Sequence, residues 1–272
     1  MLADFYYLCG DMNPVRPKKA LGQHFLTDMN IAAKIAGSLT PCDGSPAGDV
    51  LEVGCGTGVL TRFLLQRSDI TLYGAEIDTE STAYLRQQMP DFAPRLIEGD
   101  FLRMDLRAMF GQGVRVIGNF PYNISSQIFF KIIDNRDIVP ECVGMIQREV
   151  AQRIAEPAGS KNYGILSVLL QAWYDVEYLF TVSETVFSPP PKVKSAVIRL
   201  RRNATTHLDC DEELFVRVVK AAFGQRRKML RNALGAAFGS FGGREHEFFR
   251  RRAETLTVGE FEELTRWVAQ NI

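Results

Sequence analysis

Between positions 30 and 200 the apolar residues switch repeatedly from short buried runs to spacings of three and four, the signatures of strands and helices in turn. The run over 30–39 predicts a short helix with Asp28 or Thr27 as its cap. After it, 49–53 reads as a strand, 58–66 as a helix, 71–77 as a strand and 79–89 as a helix. The rhythm continues with strands over 95–98 and 114–118, a helix over 125–135 and a strand over 142–147. Helices over 149–155 and 165–174 precede two late strands, 176–182 and 195–200. Between these lies SPPPKV, whose prolines cannot sit inside a sheet and predict an extended loop beside the active face. From 211 onward the pattern is helical only, over 214–223, 227–238 and 258–271. The alternation predicts an α/β fold with a doubly wound, mostly parallel Rossmann-like sheet. A small all-α C-terminal domain is expected to follow, with the boundary between 1–202 and 203–272.

Charge sharpens this division. The net charge of zero hides a sorted distribution: residues 1–191 hold 16 Lys+Arg against 22 Asp+Glu, and 192–272 hold 16 against 10, so the two parts carry −6 and +6. The C-terminal module is therefore basic, as a partner of a polyanion would be. The five cysteines are scattered with no CxxC pair, which argues against a disulfide frame or a zinc site and fits a reducing cytoplasm. No segment approaches the ~18 apolar residues of a membrane span. The start, MLADFYYLCGDM, lacks the basic flank of a signal peptide, and residues 1–15 read as a disordered extension or a mis-called initiation site. Nothing in the pattern suggests an obligate dimer, so a monomer is expected.

Candidate chemistry concentrates at predicted strand ends. VLEVGCGTG over 50–58 is a buried strand leading through glycines 54, 56 and 58 into a helix, a turn in which backbone can approach a ligand without Cβ interference. A dinucleotide GxGxxG would need glycine at 59, where Val59 stands. The spacing ExGxGxG resembles motif I of class I methyltransferases, which implies binding of S-adenosylmethionine by Gly54 and Gly56. Glu76 ends the next strand, 22 positions after Gly54, where a carboxylate can accept both ribose hydroxyls. Asp100 follows the third strand and resembles the family aspartate that takes the adenine amine of the cofactor.

Asn119-Phe120-Pro121-Tyr122 follows the fourth strand and suits transfer to a planar amine, a poor nucleophile because its lone pair is conjugated into the ring. If the Asn119 side-chain oxygen and the Phe120 carbonyl accept the two amine hydrogens, the nitrogen is held and pyramidalised toward a methyl donor, and positioning supplies most of the catalysis. Pro121 would aim the carbonyl and the Tyr122 ring would stack on an extruded base. No metal or covalent nucleophile is required.

From about Lys18 to Leu256 the chain resembles the KsgA-type ribosomal RNA adenine dimethyltransferases. LGQHFLTD matches the segment in which His24 and the Leu26 backbone would touch the cofactor, with histidine where many members have asparagine. QREVAQRIAEPAGSKNYGILSVLLQ and FSPPPKVKSAVIRL match further, and QRRK and RAETL separate the family from antibiotic-resistance relatives that methylate 23S rRNA. Two departures are Phe120 for the commoner leucine and Cys55 for the commoner proline. The resemblance implies dimethylation of two adjacent adenosines near the 3′ end of 16S rRNA, on an immature 30S subunit in the cytoplasm, with a role in ribosome biogenesis and with S-adenosylhomocysteine as product. RNA contact is expected from Arg226, Arg227, Lys228 and Arg231, read as one helical stretch, with Arg250 to Arg252 as a second cluster and Arg16, Lys18 and Lys19 extending the surface. Two rivals are 23S methylation and a non-catalytic ribosome-assembly factor; intact Glu76, Asp100 and Asn119 speak against the second.

Overall fold

A computed structural model describes residues 15–42 and 48–272. The expected N-terminal extension thus lies almost wholly outside the described residues. A two-residue strand, β1 (Phe25–Leu26), precedes helix α1 (Met29–Ala36). Of the two candidate caps the structure uses Asp28, whose carboxylate accepts from the amides of Asn30 and Ile31. Then come β2 (Gly48–Val53), α2 (Val59–Leu64), β3 (Ile70–Glu76), α3 (Thr79–Gln88), β4 (Leu96–Glu98), α4 (Leu106–Met109), β5 (Arg115–Asn119), α5 (Ser125–Asp134) and β6 (Glu141–Gln147). They are followed by α6 (Arg148–Ala155), α7 (Ile165–Gln171), β7 (Tyr174–Val182), β8 (Phe187–Ser188) and β9 (Ser195–Arg202), and then by α8 (Glu212–Gly224), α9 (Leu230–Phe238) and α10 (Val258–Asn271).

Seven strands form one sheet in the order β4-β3-β2-β5-β6-β9-β7, and only β9 runs against the others. The chain order reverses between β2 and β5, the place where open α/β sheets bind ligands. Because the second half of β2 is buried on both faces, its residues Val50–Val53 are buried in a run rather than in alternation. One face of the sheet is covered by α1, α2 and α3, around a cluster that includes Ile35, Leu60 and Leu85. The other carries α5 and α7, in a cluster that continues without a break into the C-terminal helices through Phe215, Phe223 and Phe261. The C-terminal helices α8 and α10 therefore pack against α7.

Three expectations need correction. The helix expected over 165–174 ends at Gln171, because Tyr174 already begins β7, where its buried hydroxyl donates to the Val139 carbonyl. The helix expected over 227–238 begins only at Leu230. Residues 225–229 form a turn closed by the Lys228 amide on the Gln225 carbonyl, so Arg226, Arg227 and Lys228 do not share a helical stretch with Arg231. The turn lets Leu230 enter the core while its amide donates to the Arg251 carbonyl. The proline loop begins as β8, which pairs antiparallel with β1.

Candidate functional site

The C-terminal ends of β2, β3, β4 and β5 open on one narrow cleft with a cavity volume of about 90 Å³. Its walls include Gly54, Gly56, Glu76, Asp100 and Asn119, so the strand-end series lines one space. Gly54, Gly56 and Gly58 have φ of +77°, +53° and +79°, in the left-handed region that glycine alone adopts without cost. They also differ in what crowds them. A Cβ on Gly56 would meet the Phe25 ring at 3.1 Å, whereas one on Gly58 would strike Met89 and Leu85 of the α3 region at 2.6 and 2.8 Å. The second glycine thus keeps the cleft wall thin, and the third lets α2 pack.

Glu76 is 3% exposed. Its carboxylate oxygens each accept one backbone amide, from Gly56 and Asp78, both at 2.8 Å. These bonds aim the carboxylate and leave lone pairs for two more donors. Burial raises the pKa of Glu76, and the two amides oppose that shift by stabilising the anion. Asp100 caps the short turn Phe101–Arg103 by accepting from the Leu102 amide at 2.9 Å, which places its second oxygen 3.6 Å from Arg103.

The segment before α1 lies against this cleft as a strap, contributing Leu21, Gln23, His24 and Phe25 to the wall. Its near end is held by Lys18, whose Nζ donates to Asp78 at 2.5 Å and sits 3.1 Å from Glu80. Lys18 is therefore committed to an ion pair and does not extend a free basic surface. Gln23 accepts from the Lys18 amide and reaches Asp78 with its Nε2. At the far end Asn119 Nδ2 donates to the His24 carbonyl at 2.9 Å, while His24 Nδ1 donates to the Pro189 carbonyl at 2.8 Å. The Leu26 side chain does not line the cleft, and the contact expected of Leu26 is one by its backbone. Alternation in β1 sends its side chain into the core and turns Phe25 to the cleft, and Leu26 pairs with Phe187 of β8.

The bond to His24 settles the orientation of the Asn119 amide: a carbonyl can only accept, so Nδ2 faces His24 and Oδ1 faces elsewhere, free to accept. The Phe120 ring is 1% exposed and fills the space above Gly118 and Gly144, and its amide donates to the Met145 carbonyl at 3.0 Å. Among the described residues no donor takes the Phe120 carbonyl. Pro121 lines this first cleft, while Tyr122 lines a second cleft with Gln147, Lys19, Lys192 and Pro189 to Pro191. His24 and Gln23 border both spaces, so Asn119 stands where the two adjoin. The Tyr122 ring lies 5.5 Å from His24, and its hydroxyl sits 2.5 Å from Ser195 Oγ. Burial raises the Tyr122 pKa, which keeps the phenol neutral.

Among the expected RNA contacts, Arg227 and Lys228 are exposed and have no ion-pair partner among the described residues. Arg226 donates to the Lys161 carbonyl and Arg231 pairs with Glu245. In the second cluster Arg251 is held by Glu260 at 2.5 Å, and Arg250 and Arg252 stay exposed. Sequence reasoning missed Gln23, Phe25, Asp78, Gln147 and Ser195. Only Asp78 left a signal, as a second acid two residues beyond Glu76. Among the described residues no group of three or more His, Cys, Asp or Glu could hold a metal, and no helix is long and apolar enough to cross a membrane.

Comparison with known proteins gives a consistent picture. Residues 15–261 match the model of a family described as ribosomal RNA adenine dimethylase. The chain is 55% identical to the ribosomal RNA small subunit methyltransferase A of Bacteroides thetaiotaomicron, over 95% of this chain and 96% of that one. It is 52% identical to the protein of the same name from Porphyromonas gingivalis, over 95% of this chain and all of that one. Among solved structures it resembles a dimethyladenosine transferase from Plasmodium falciparum (TM-score 0.73, 22% identity, 91% of this chain and 98% of that chain). It also resembles the 23S rRNA methyltransferase ErmE (TM-score 0.62, 24% identity, 88% of this chain and 99% of that chain). Both structural likenesses speak to the class I methyltransferase fold.

Proposed function

We infer the activity from one premise: the chain belongs to the ribosomal RNA adenine dimethylase family. It is an S-adenosylmethionine-dependent enzyme that dimethylates adenine amines of small-subunit ribosomal RNA. The observation that carries the reading is the meeting of two clefts at Gln23 and His24, beside Asn119, one walled by a glycine turn and two acids, the other by an aromatic ring and a proline loop. The substrate is proposed to be two adjacent adenosines near the 3′ end of 16S rRNA in an immature 30S subunit, modified in the cytoplasm by a monomer that needs no metal. The 52–55% identical relatives carry the small-subunit name, and this favours 16S over 23S rRNA.

The residues present fit the cofactor. Glycines at +77° and +53° leave a wall no side chain could line, Glu76 has lone pairs for two hydroxyls, and Asp100 has an oxygen for an amine. Gly54, Gly56, Glu76, Asp100, His24, the Leu26 backbone and Asn119 would hold S-adenosylmethionine, with the Phe25 side chain on the same wall. When bound, the cofactor supplies an activated methyl group on a sulfonium. Asn119 Oδ1 and the Phe120 carbonyl, both free to accept, hold the two hydrogens of the adenine amine and turn its lone pair out of conjugation. Tyr122 gives the flipped base a stacking face, and a proton leaves the alkylated nitrogen for solvent water. The first 202 residues would thus bind cofactor and base, while 203–272, through Arg227 and Lys228 with Arg226 and Arg231, would grip RNA phosphates.

The test is methylation of purified undermethylated small and large subunits with labelled cofactor, followed by mapping of the modified nucleotides. Two dimethylated neighbours in 16S rRNA are expected. Label confined to 23S rRNA would sink the reading. Asn119→Ala should weaken cofactor binding only modestly and, with cofactor saturating, lose methylation by at least about a hundredfold; full activity in that variant would refute the amine-holding role.

A further inference from the structure

Tyr122 is the one member of the NFPY turn whose side chain faces the second cleft, and its ring plane must be fixed if it is to meet a base face to face. Its backbone is held locally, since the Ser125 hydroxyl donates to the Tyr122 carbonyl and the Ile124 amide to that of Pro121. Nothing in the turn itself fixes the outer edge of the ring. That edge reaches β9, where its hydroxyl lies 2.5 Å from Ser195 Oγ. Ser195 is fully buried and rigidly placed as the first residue of the reversed strand, paired with Gln147 on one side and Val182 on the other. Its hydroxyl has no other partner among the described residues. In a fully buried strand position an apolar side chain would be the ordinary occupant, because an unpaired hydroxyl there is costly.

We propose that Ser195 is a positioning residue for the reaction, locking the Tyr122 ring at the angle in which it supports the adenine beside Asn119. This rests on the proposed role of Tyr122 as the base platform. It also explains why β9 follows directly on the proline loop: the loop borders the second cleft, and the strand it leads into carries the anchor for the ring across that cleft. Because Ser195 touches neither base nor cofactor, its effect passes through Tyr122 alone. Losing the anchor lets the ring rock and disorders the amine relative to Asn119, which slows the chemical step and leaves cofactor binding untouched.

The experiment is a double-mutant cycle read by single-turnover methylation of small subunits, with cofactor affinity measured by calorimetry and folding checked by thermal melting. Ser195→Ala is expected to slow transfer by about three- to tenfold, the cost of one hydrogen bond, with unchanged cofactor affinity. Tyr122→Phe should slow it by a similar factor, and the double variant should be no slower than Tyr122→Phe. Ser195→Thr, which keeps the hydroxyl, should restore most of the rate. The proposal is overturned if Ser195→Ala reacts at the wild-type rate, if it slows the Tyr122→Phe enzyme as much as it slows wild type, or if its effect falls on cofactor affinity. Tyr122→Ala separates the two layers of inference. A wild-type rate in that variant removes the platform and this proposal with it, whereas a large loss beside a fully active Ser195→Ala removes the anchor alone.

Discussion

Gly144 lies in β6 at the level of the Asn119–Tyr122 turn, and its lack of a side chain is what admits the Phe120 ring beneath that turn. A Cβ on Gly144 would lie 2.5 Å from Phe120 Cε2 and 3.0 Å from Cδ2, against a normal carbon–carbon separation of about 3.5–4.0 Å. The ring must therefore retreat by roughly 1 Å. It has little room, being 1% exposed, packed edge-on against Phe129 with centroids 5.9 Å apart, and in contact with Gly118 on its other side. Overpacking of this kind costs about 1–3 kcal/mol, which for a chain of this size lowers the melting temperature by roughly 2–4 °C per kcal/mol. Activity should suffer more than stability. The Phe120 backbone moves with its ring and carries the carbonyl proposed to hold the amine, and a displacement of about 1 Å at such a group can cost ~100-fold in rate. The assay pairs thermal melting with methylation of small subunits by Gly144→Ala, alone and combined with Phe120→Leu, whose shorter side chain withdraws from the clash. The combined variant should recover most of the melting temperature and at least about tenfold of the lost rate. A Gly144→Ala protein with wild-type melting and turnover, or a combined variant no better than the single one, would refute the argument that the ring sets the carbonyl.

Other expectations follow from the same geometry. Asp78→Asn should loosen the strap from Lys18 and weaken S-adenosylmethionine binding about tenfold by calorimetry while leaving the rate at saturation near wild type, since Asp78 touches Lys18, Gln23 and Ser81 but lines neither cleft. Glu52, 1% exposed and with one unpartnered carboxylate oxygen, has its pKa pushed up to about 8 by burial. The folded protein thus keeps this proton between about pH 4.5 and pH 8 while the unfolded chain loses it, so stability falls as pH rises through that window. Glu52→Gln should remove this fall, gaining on the order of 5 kcal/mol over wild type from the bottom of the window to the top in denaturant melts; parallel pH profiles would refute the assignment. Arg227→Ala with Lys228→Ala should reduce the slope of log affinity against log salt for small-subunit RNA by about two, with Arg231→Ala contributing less because Glu245 already holds it.

The strand-end chemistry was legible because it depends on features a sequence displays. Buried runs announce strands, glycines at 54, 56 and 58 announce positive φ, and the next acids fall at strand ends whose spacing the βα rhythm dictates. What stayed hidden depends on pairs of residues far apart in the chain. β1 and β8 are two residues each and bond across about 160 positions, too short for any periodicity to reveal. The Arg226–Lys228 segment consists of good helix formers with helical apolar spacing on both sides, yet it is a turn, because burying Leu230 against Arg251 decides the matter over local preference. Ser195 is a small polar residue followed by three apolar ones and gains meaning only once Tyr122, 73 positions earlier, is seen to reach it.

Sheet order turns this scattered set into one site. With β2 and β5 adjacent at the reversal of chain order, the Gly54 turn and Asn119 meet although 65 residues separate them: a Cβ on Gly54 would lie 3.8 Å from the Asn119 carbonyl. The proposed cofactor side is built from the ends of β2, β3, β4 and β5, and the proposed base side from Tyr122, Gln147 of β6 and the proline loop, with the strap shared between them. A change on β4 or α3 should therefore act on cofactor affinity, and a change on β6 or β9 on the rate of transfer. Only substitutions in the strap or at Asn119 should move both, because His24 borders the two clefts and its carbonyl holds the Asn119 amide.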